Sequence, residues 1–382
     1  MARIVEAIGR WRSGELSCGE AAQVLGMSER HFRRLRDRYE ADGAAGIVDR
    51  RLGKASAMRV PVDRIDWVVE TYRTRYAEFT VKHYHEHLVR DHGFTLSYTW
   101  LKTALQARGV VRRAAKRSAH RKKRERRPLP GMLLFQDGSP HVWLPDLGAA
   151  LDLVVTMDDA TGAIYSAFLV AEEGTMSGFR GLAETIAAKG LFSSLYTDRG
   201  SHYFHTPRAG GPVDKRQPTQ IGRALAQLGI EHIPSYSPQA RGRMERLFGT
   251  LQGRWPQEFR LKGVSTAAAA NRYPAEALIP EHNARFAVKA APDGSAFVPY
   301  VGRDLADILC VQEERRVGND NTVRYRGLAL QIPPSPLRHH SVRTTVRVHE
   351  YPDGRLALFH GPRCIGRYGA DGTAEAHAQA AA

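Results

Sequence analysis

Cysteine is scarce in this sequence. Cys18, Cys310 and Cys364 are the three present in 382 residues, far apart and without a short paired spacing. That excludes a disulfide framework and a cysteine-based zinc module, and it suits a reducing compartment. Long apolar runs are missing as well. Although 42% of residues are hydrophobic, no run approaches the roughly twenty residues a membrane helix needs, and the amino terminus lacks the charged-then-apolar order of a signal peptide. A cytoplasmic protein with no membrane partner is expected. Acidic residues are outnumbered, 40 against 56 Lys plus Arg, for a net charge of +16. The excess points to a polyanionic partner, of which nucleic acid is the commonest, but ribosomal and membrane-surface proteins are basic too.

The distribution of charge is more informative. Residues 112–127 read RRAAKRSAHRKKRERR with Glu125 as the single acid, bounded by Pro128 and Pro130. Such a run repels itself and predicts an extended or transiently helical linker whose Arg121, Lys122, Lys123 and Arg124 bind phosphates without reading bases.

Ahead of the linker the pattern is helical. Ser17 and Glu20 have capping-box spacing, so a helix is expected to start there, turn Ala21, Val24 and Leu25 inward and stop at Gly26. Ser28 then caps a second helix with Phe32, Leu35 and Tyr39 inward and an arginine-rich outer face that includes Arg30, Arg33 and Arg34. This describes a helix-turn-helix whose second helix enters a major groove. A related arrangement follows. Asp63 caps a helix carrying Ile65, Val68, Val69 and Tyr72, a second runs from about Thr80 to Asp91, and Ser97 caps a third with Trp100, Leu101 and Leu105 inward. Tyr98, Thr99 and Lys102 are its groove-facing candidates. A packed bundle with a solvated basic face is the alternative for either trio. His83, His85, His87 and His92 crowd one helix and its exit, and His83 with His87 has a zinc-compatible separation. Without a third well-spaced ligand in the sequence, a solvated or stacked helix face is the expected role.

Beyond the prolines the periodicity becomes mixed. Apolar runs at residues 132–135, 151–157 and 163–170 predict strands, followed by a helix over 177–189, a strand over 191–197, a helix over 219–228, a strand over 230–235 and a helix over 241–252. Strand, strand, strand, helix, strand, helix, strand, helix is the order of a ribonuclease-H-like α/β core. Asp137 and Asp198 each follow a strand in this reading, and the first and fourth strands are neighbours in such a core. Glu245 lies beside the buried stripe Met244, Leu247, Phe248 and Leu251. Asp152, Asp158 and Asp159, in or after a middle strand, take the ordinary role of turn formers.

LLFQDGSPHVWL at Leu133–Leu144, YTDRGSHYF at Tyr196–Phe204, SPQARGRMERLFGTLQ at Ser237–Gln252 and HNARF at His282–Phe286 together resemble the DDE transposase and retroviral-integrase superfamily, in particular bacterial insertion-sequence transposases. The resemblance implies that Asp137, Asp198 and Glu245 bind two Mg2+ (or Mn2+) ions per active site. It also implies a partner in double-stranded DNA, both element ends and target, a homo-oligomer assembled on that DNA, and association with the nucleoid. Cleavage of the 3' ends and their transfer to target is the implied activity, with Arg243 and Arg246 flanking Glu245 as phosphate ligands or merely as a solvated face. Two departures stand out: an insertion at residues 205–217, read as a surface loop, and Arg241 where many relatives carry Asn. A helix-turn-helix regulator with an inactive core, or a nuclease that never joins strands, are the other functions compatible with these residues.

Residues 255–283 read as helical. Short alternating stretches between about Arg315 and Tyr368, with a turn at Asp353 and Gly354, predict a small β-barrel. The expected organisation is thus multidomain: helix-turn-helix modules over 1–60 and 61–112, a basic linker over 113–130, the catalytic core over 131–290, the barrel over 291–368 and an unstructured tail over 369–382. Replacing Arg121, Lys122, Lys123 and Arg124 by Gln is expected to weaken binding to cognate and random duplexes alike and to flatten the salt dependence. Binding titrations at several salt concentrations check this, and a loss confined to cognate ends contradicts it.

Overall fold

The computed structural model describes residues 1–49, 59–113, 125–208, 211–214, 216–236, 238–302, 304–334 and 339–375. Arg121, Lys122, Lys123 and Arg124 lie outside the described residues. Two compact units, Met1–Glu70 and Thr71–Ala382, divide the chain.

In the first unit, α1 (Ala2–Arg12), which the sequence reading did not anticipate, packs with α2 (Cys18–Val24) and α3 (Glu29–Asp42) around Ile8, Ala21, Ala22, Phe32 and Leu35. The expected capping box is formed: the Glu20 backbone donates to Ser17 Oγ at 3.2 Å and the Ser17 backbone to the Glu20 carboxylate at 2.7 Å. Ser28 caps α3 by accepting from the His31 backbone at 3.3 Å. Gly26 makes the turn between them at φ +65°, a conformation that costs a glycine little. Val24 is a correction. It is the last residue of α2 and stands 64% exposed rather than inward.

Helix α4 (Val62–Thr74) runs across the boundary between the units, with Val68, Val69 and Tyr72 buried as its stripe predicts. Asp63 lies inside its first turn rather than capping it. Helices α5 (Val81–His92) and α6 (Tyr98–Ala107) are capped by Thr80 and Ser97, and α5 leaves through Gly93 in the left-handed conformation.

The centre of the second unit is a five-stranded sheet of β1 (Leu134–His141), β2 (Leu151–Asp158), β3 (Ile164–Val170), β4 (Ser194–Thr197) and β5 (Glu231–Pro234), in the order β3-β2-β1-β4-β5. The first three strands pair antiparallel, whereas β1 with β4 and β4 with β5 are parallel. One sheet face packs on α7 (Thr175–Lys189) and α8 (Gln220–Gln227) through Leu134, Leu195, Phe179, Leu182 and Ile221. The other packs on α9 (Pro238–Gln252), α10 (Trp255–Leu261) and α11 (Ala267–Tyr273) through Phe135, Val155, Leu169, Leu247, Phe259 and Ala270. Alternating residues of each strand serve opposite faces, so a core of three layers results.

Two expectations need correcting. β1 does not stop at Phe135 but continues through Asp137 to His141, opposite β2. Gly138 and Pro140 are tolerated there because β4 pairs only with Leu134 and Phe135, which leaves the rest of β1 an edge. The expected helix over 255–283 is also broken, by Gly263 at φ +65° and by a π turn at Pro274–Leu278 that leads into α12 (Ile279–Phe286).

The outer edge of β3 is closed by two asparagine side chains. Asn271 accepts from the Leu169 backbone at 2.6 Å and donates to its carbonyl at 3.0 Å, and Asn283 does the same for Ile164 at 2.8 Å each way. Each amide mimics a strand residue, which satisfies backbone groups that an edge otherwise leaves open.

Toward the carboxyl terminus, β6 (Val311–Arg316), β7 (Thr322–Tyr325), β8 (Leu328–Gln331), β9 (Thr345–Glu350), β10 (Leu356–His360) and β11 (Arg363–Tyr368) form a four-stranded sheet, β11-β10-β9-β6, and the hairpin β7-β8. Both share a core of Val323, Leu330, Val348, Leu358 and Tyr368. The described strand pairings are those of two separate sheets and include no closure into a barrel. β6 is tied to the central domain by Gln220 of α8, whose amide exchanges two hydrogen bonds with the Gln312 backbone at 2.9 and 3.0 Å. Residues 369–375, expected to lack structure, instead turn back, and the Glu375 backbone donates to the Arg367 carbonyl at 2.9 Å.

Asn283→Ala is expected to leave the Ile164 N–H and C=O unpaired and to destabilise the second unit by about 1–3 kcal/mol. Denaturant unfolding checks this, and an unchanged midpoint contradicts it.

Candidate active site

The pairing of Leu134 with Leu195 and of Phe135 with Tyr196 sets Asp137 level with Asp198, which follows the end of β4. Phe135 and Tyr196 both serve the face covered by α9. Asp137 and Asp198 each lie two residues further along, so the period of two brings them to that same face. Asp137 is 6% exposed. Asp198 is half-buried and accepts from the Gly200 backbone at 2.8 Å, which fixes the carboxylate in the turn after β4.

Sequence reasoning missed a third acidic group, Glu173, in the loop between β3 and α7. Its backbone N–H donates to Asp152 at 2.7 Å, while the fully buried Tyr203 hydroxyl lies 3.2 Å from its carboxylate and 3.1 Å from Gln136 Oε1. Burial pushes the Tyr203 hydroxyl well above its ordinary range, and the charges of Glu173, Asp137 and Asp198 push it further. Three carboxylates therefore act on one phenol. A side chain at Gly138 would overlap the Glu173 carboxylate, so β1 carries glycine beside Asp137. Nothing in the sequence distinguishes Glu173 from Glu172; the fold alone selects it.

Helix α9 is held against the sheet by Met244, Leu247, Phe248 and Leu251. Glu245 is exposed beside this stripe. Gln252, about two turns further along the same flank, donates to Ser139 Oγ at 3.0 Å, and Ser139 shares its strand face with Asp137. The flank that carries Glu245 thus faces the polar end of β1. The trio is not drawn tight. Among the described residues, the group of three His, Cys, Asp or Glu donors whose ligand atoms lie within 4.8 Å of one another is His83, His87 and Glu258.

The neighbours of Glu245 differ from each other. Arg246 is exposed, whereas Arg243 pairs with Asp159, which is fully buried and also accepts from the Arg127 backbone at 2.7 Å. Arg243 therefore anchors α9 to the β2–β3 turn. Asp158 is a turn former as expected: it accepts from the Gly131 backbone at 3.0 Å and from the Thr161 backbone and hydroxyl at 2.7 Å. Arg30, Arg33 and Arg34 are exposed on α3, with Arg33 paired to Glu29. On α6, Thr99 and Lys102 are exposed, and Tyr98 is half-buried with the Lys82 ammonium 5.4 Å from its ring. Residues 205–217 contain no helix or strand among those described, and Arg199 donates to the Gly211 carbonyl at 2.6 Å.

Residues 8–60 match the winged helix-turn helix family. A Sinorhizobium fredii protein named as a transposase, y4bF, is 32% identical over 354 residues, 92% of this chain and 77% of that protein. The chain belongs to the insertion-sequence transposases. A second relative, the transposase for insertion sequence IS1202 of Streptococcus pneumoniae, is 25% identical to this transposase over 71% of its length and 64% of the relative's. Among solved structures, a simian T-cell lymphotropic virus intasome in complex with PP2A regulatory subunit B56 gamma covers 78% of the chain and 95% of its own, at 14% identity and a TM-score of 0.35. The HTLV-2 integrase catalytic core domain in complex with magnesium covers 39% and 89%, at 17% identity and a TM-score of 0.29.

Arg243→Ala should remove a guanidinium partner from the buried Asp159, a change that typically costs about 3–5 kcal/mol. Thermal unfolding of the transposase checks this. An unaltered melting temperature accompanied by weaker DNA binding would assign Arg243 to phosphate instead.

Proposed function

We propose that this transposase is a DDE enzyme whose ribonuclease-H-like core cleaves the 3' ends of an insertion sequence and joins them to target DNA, using Asp137, Asp198 and Glu245. The observation that carries this reading is the shared register and sheet face of Asp137 and Asp198 beneath the helix of Glu245. The strand order β3-β2-β1-β4-β5 is the one such a core requires.

The donor set suits Mg2+ or Mn2+, which prefer oxygen ligands and few carboxylates supplemented by substrate phosphate. Two such ions, when bound, supply activation of the attacking oxygen and stabilisation of the leaving oxygen in an in-line displacement. Asp137, fixed in a strand, Asp198 and Glu245 would hold these ions. Asp198 is oriented by the Gly200 N–H, while the exposed Glu245 is free to approach as substrate phosphate arrives. Tyr203 and Gln136 hold the Glu173 carboxylate against β1 at Gly138. Exposed Arg30, Arg34, Thr99 and Lys102 are proposed to contact the element ends, and Arg246 the phosphates near the scissile bond.

Asp137→Asn, Asp198→Asn and Glu245→Gln should each fold and bind element ends yet lose both end cleavage and joining in Mg2+. Asp146→Asn, at an exposed position in the turn after β1, should leave both steps intact. A gel assay of labelled ends, with a pre-cut version included, scores the steps separately. Joining of pre-cut ends at the parent rate by any of the three variants removes that residue from the site, and a parent protein that cleaves but never joins is a nuclease.

A further inference from the structure

Helix α5 meets α10 through a buried cluster remote in sequence. His83 and His87, expected to face solvent or stack, are 3% and 2% exposed, and the ligand missing from the local sequence comes from Glu258, 4% exposed. The Nε2 atoms of the two imidazoles lie 2.6 and 2.7 Å from the same oxygen, Glu258 Oε1. The stacking half of the sequence expectation holds, since the His83 ring lies against Phe79 at 4.5 Å.

We propose that His83, His87 and Glu258 form a zinc site that staples α5 to the catalytic domain. Two imidazole nitrogens and one carboxylate oxygen, with a fourth position open, are a donor set that zinc accepts. The separation of four residues puts both imidazoles on one face of α5. His87 also has the outer partner that orients metal-bound histidines: Asp91 lies 2.9 Å from its Nδ1, where it can accept the proton and leave Nε2 for the metal. Arg90 approaches the same nitrogen at 2.8 Å and is itself bonded to Asp91 at 2.7 Å. A cavity of about 20 Å³, lined by His83, Glu258 and His282, borders the cluster and has room for one water as fourth ligand.

The charges around the cavity permit a cation. Arg254 and Arg285 also line it, but both pair with Glu86 of α5, and Arg285 pairs with Glu281 as well. Tetrahedral coordination at zinc separates donor atoms by roughly 3.3 Å, so the present hydrogen-bond spacings must open by about 0.6 Å. The site is distinct from the carboxylates of β1, β4 and α9 and does not depend on their proposed role.

The test uses the full chain carrying Asp137→Asn, Asp198→Asn and Glu245→Gln, so that the other carboxylates do not contribute. After chelator stripping and dialysis against Zn2+, one equivalent of zinc should remain bound and the melting temperature should rise by several degrees. Substituted Co2+ should give the visible absorption of a tetrahedral site. Adding His87→Gln or Glu258→Gln should abolish the retained equivalent, and the milder Asp91→Asn should weaken it roughly tenfold or more. Absence of bound zinc in the folded parent, or zinc held equally well by the Glu258→Gln chain, overturns the proposal and leaves the cluster a hydrogen-bonded clamp.

Discussion

The parallel pairing of β1 with β4 is the constraint on which the rest of the molecule depends. It spans only Leu134 to Leu195 and Phe135 to Tyr196, yet it joins the antiparallel half of the sheet to the half that continues into β5. A slip by one residue would turn Asp198 to the opposite face, toward α7 and α8, and would place Leu195 against the wrong core. Register is protected because both faces are buried: Leu134 and Leu195 lock into one layer, Phe135 and Tyr196 into the other.

Charged groups do a second kind of work, welding helices to that sheet. Asp159 holds α9 through Arg243, and Glu86 of α5 holds Arg254 and Arg285. Glu258 is the most deeply embedded of these. Burial raises its carboxyl, but hydrogen bonds from His83 and His87 outweigh that and bring it down to about 2. Removing one member of such a set is more damaging than the net worth of the pair, since it strands a charge in the interior. Helix α5 is therefore as firmly part of the second unit as the helices that follow the sheet.

Much of this was legible in the sequence. The strands and helices of the centre follow from runs and periods, and the caps at Ser17, Ser28 and Ser97 from side-chain chemistry. What was hidden depends on contacts between distant segments. Asp-Gly-Ser-Pro after Phe135 reads as a turn, and only the absence of β4 beyond that point makes it an edge strand. Glu173 and Glu258 gain their roles from Tyr203 and from two histidines more than 170 residues away in the chain, which no local pattern encodes. Strand β6 starts at Val311, ahead of the alternating stretches expected from about Arg315, because Glu313 and Glu314 interrupt its alternation.

The central claim is that Asp137 and Asp198 share one face as ligands of divalent cations, with Glu245 closing over them. Diffraction from crystals of the chain with pre-cut element-end DNA and Mn2+, collected for anomalous scattering, tests it most directly. The account predicts anomalous peaks between Asp137 and Asp198, with the Glu245 carboxylate turned to within ligand distance. Peaks confined to other residues, with Asp137 and Asp198 bonded only to protein groups, would contradict it.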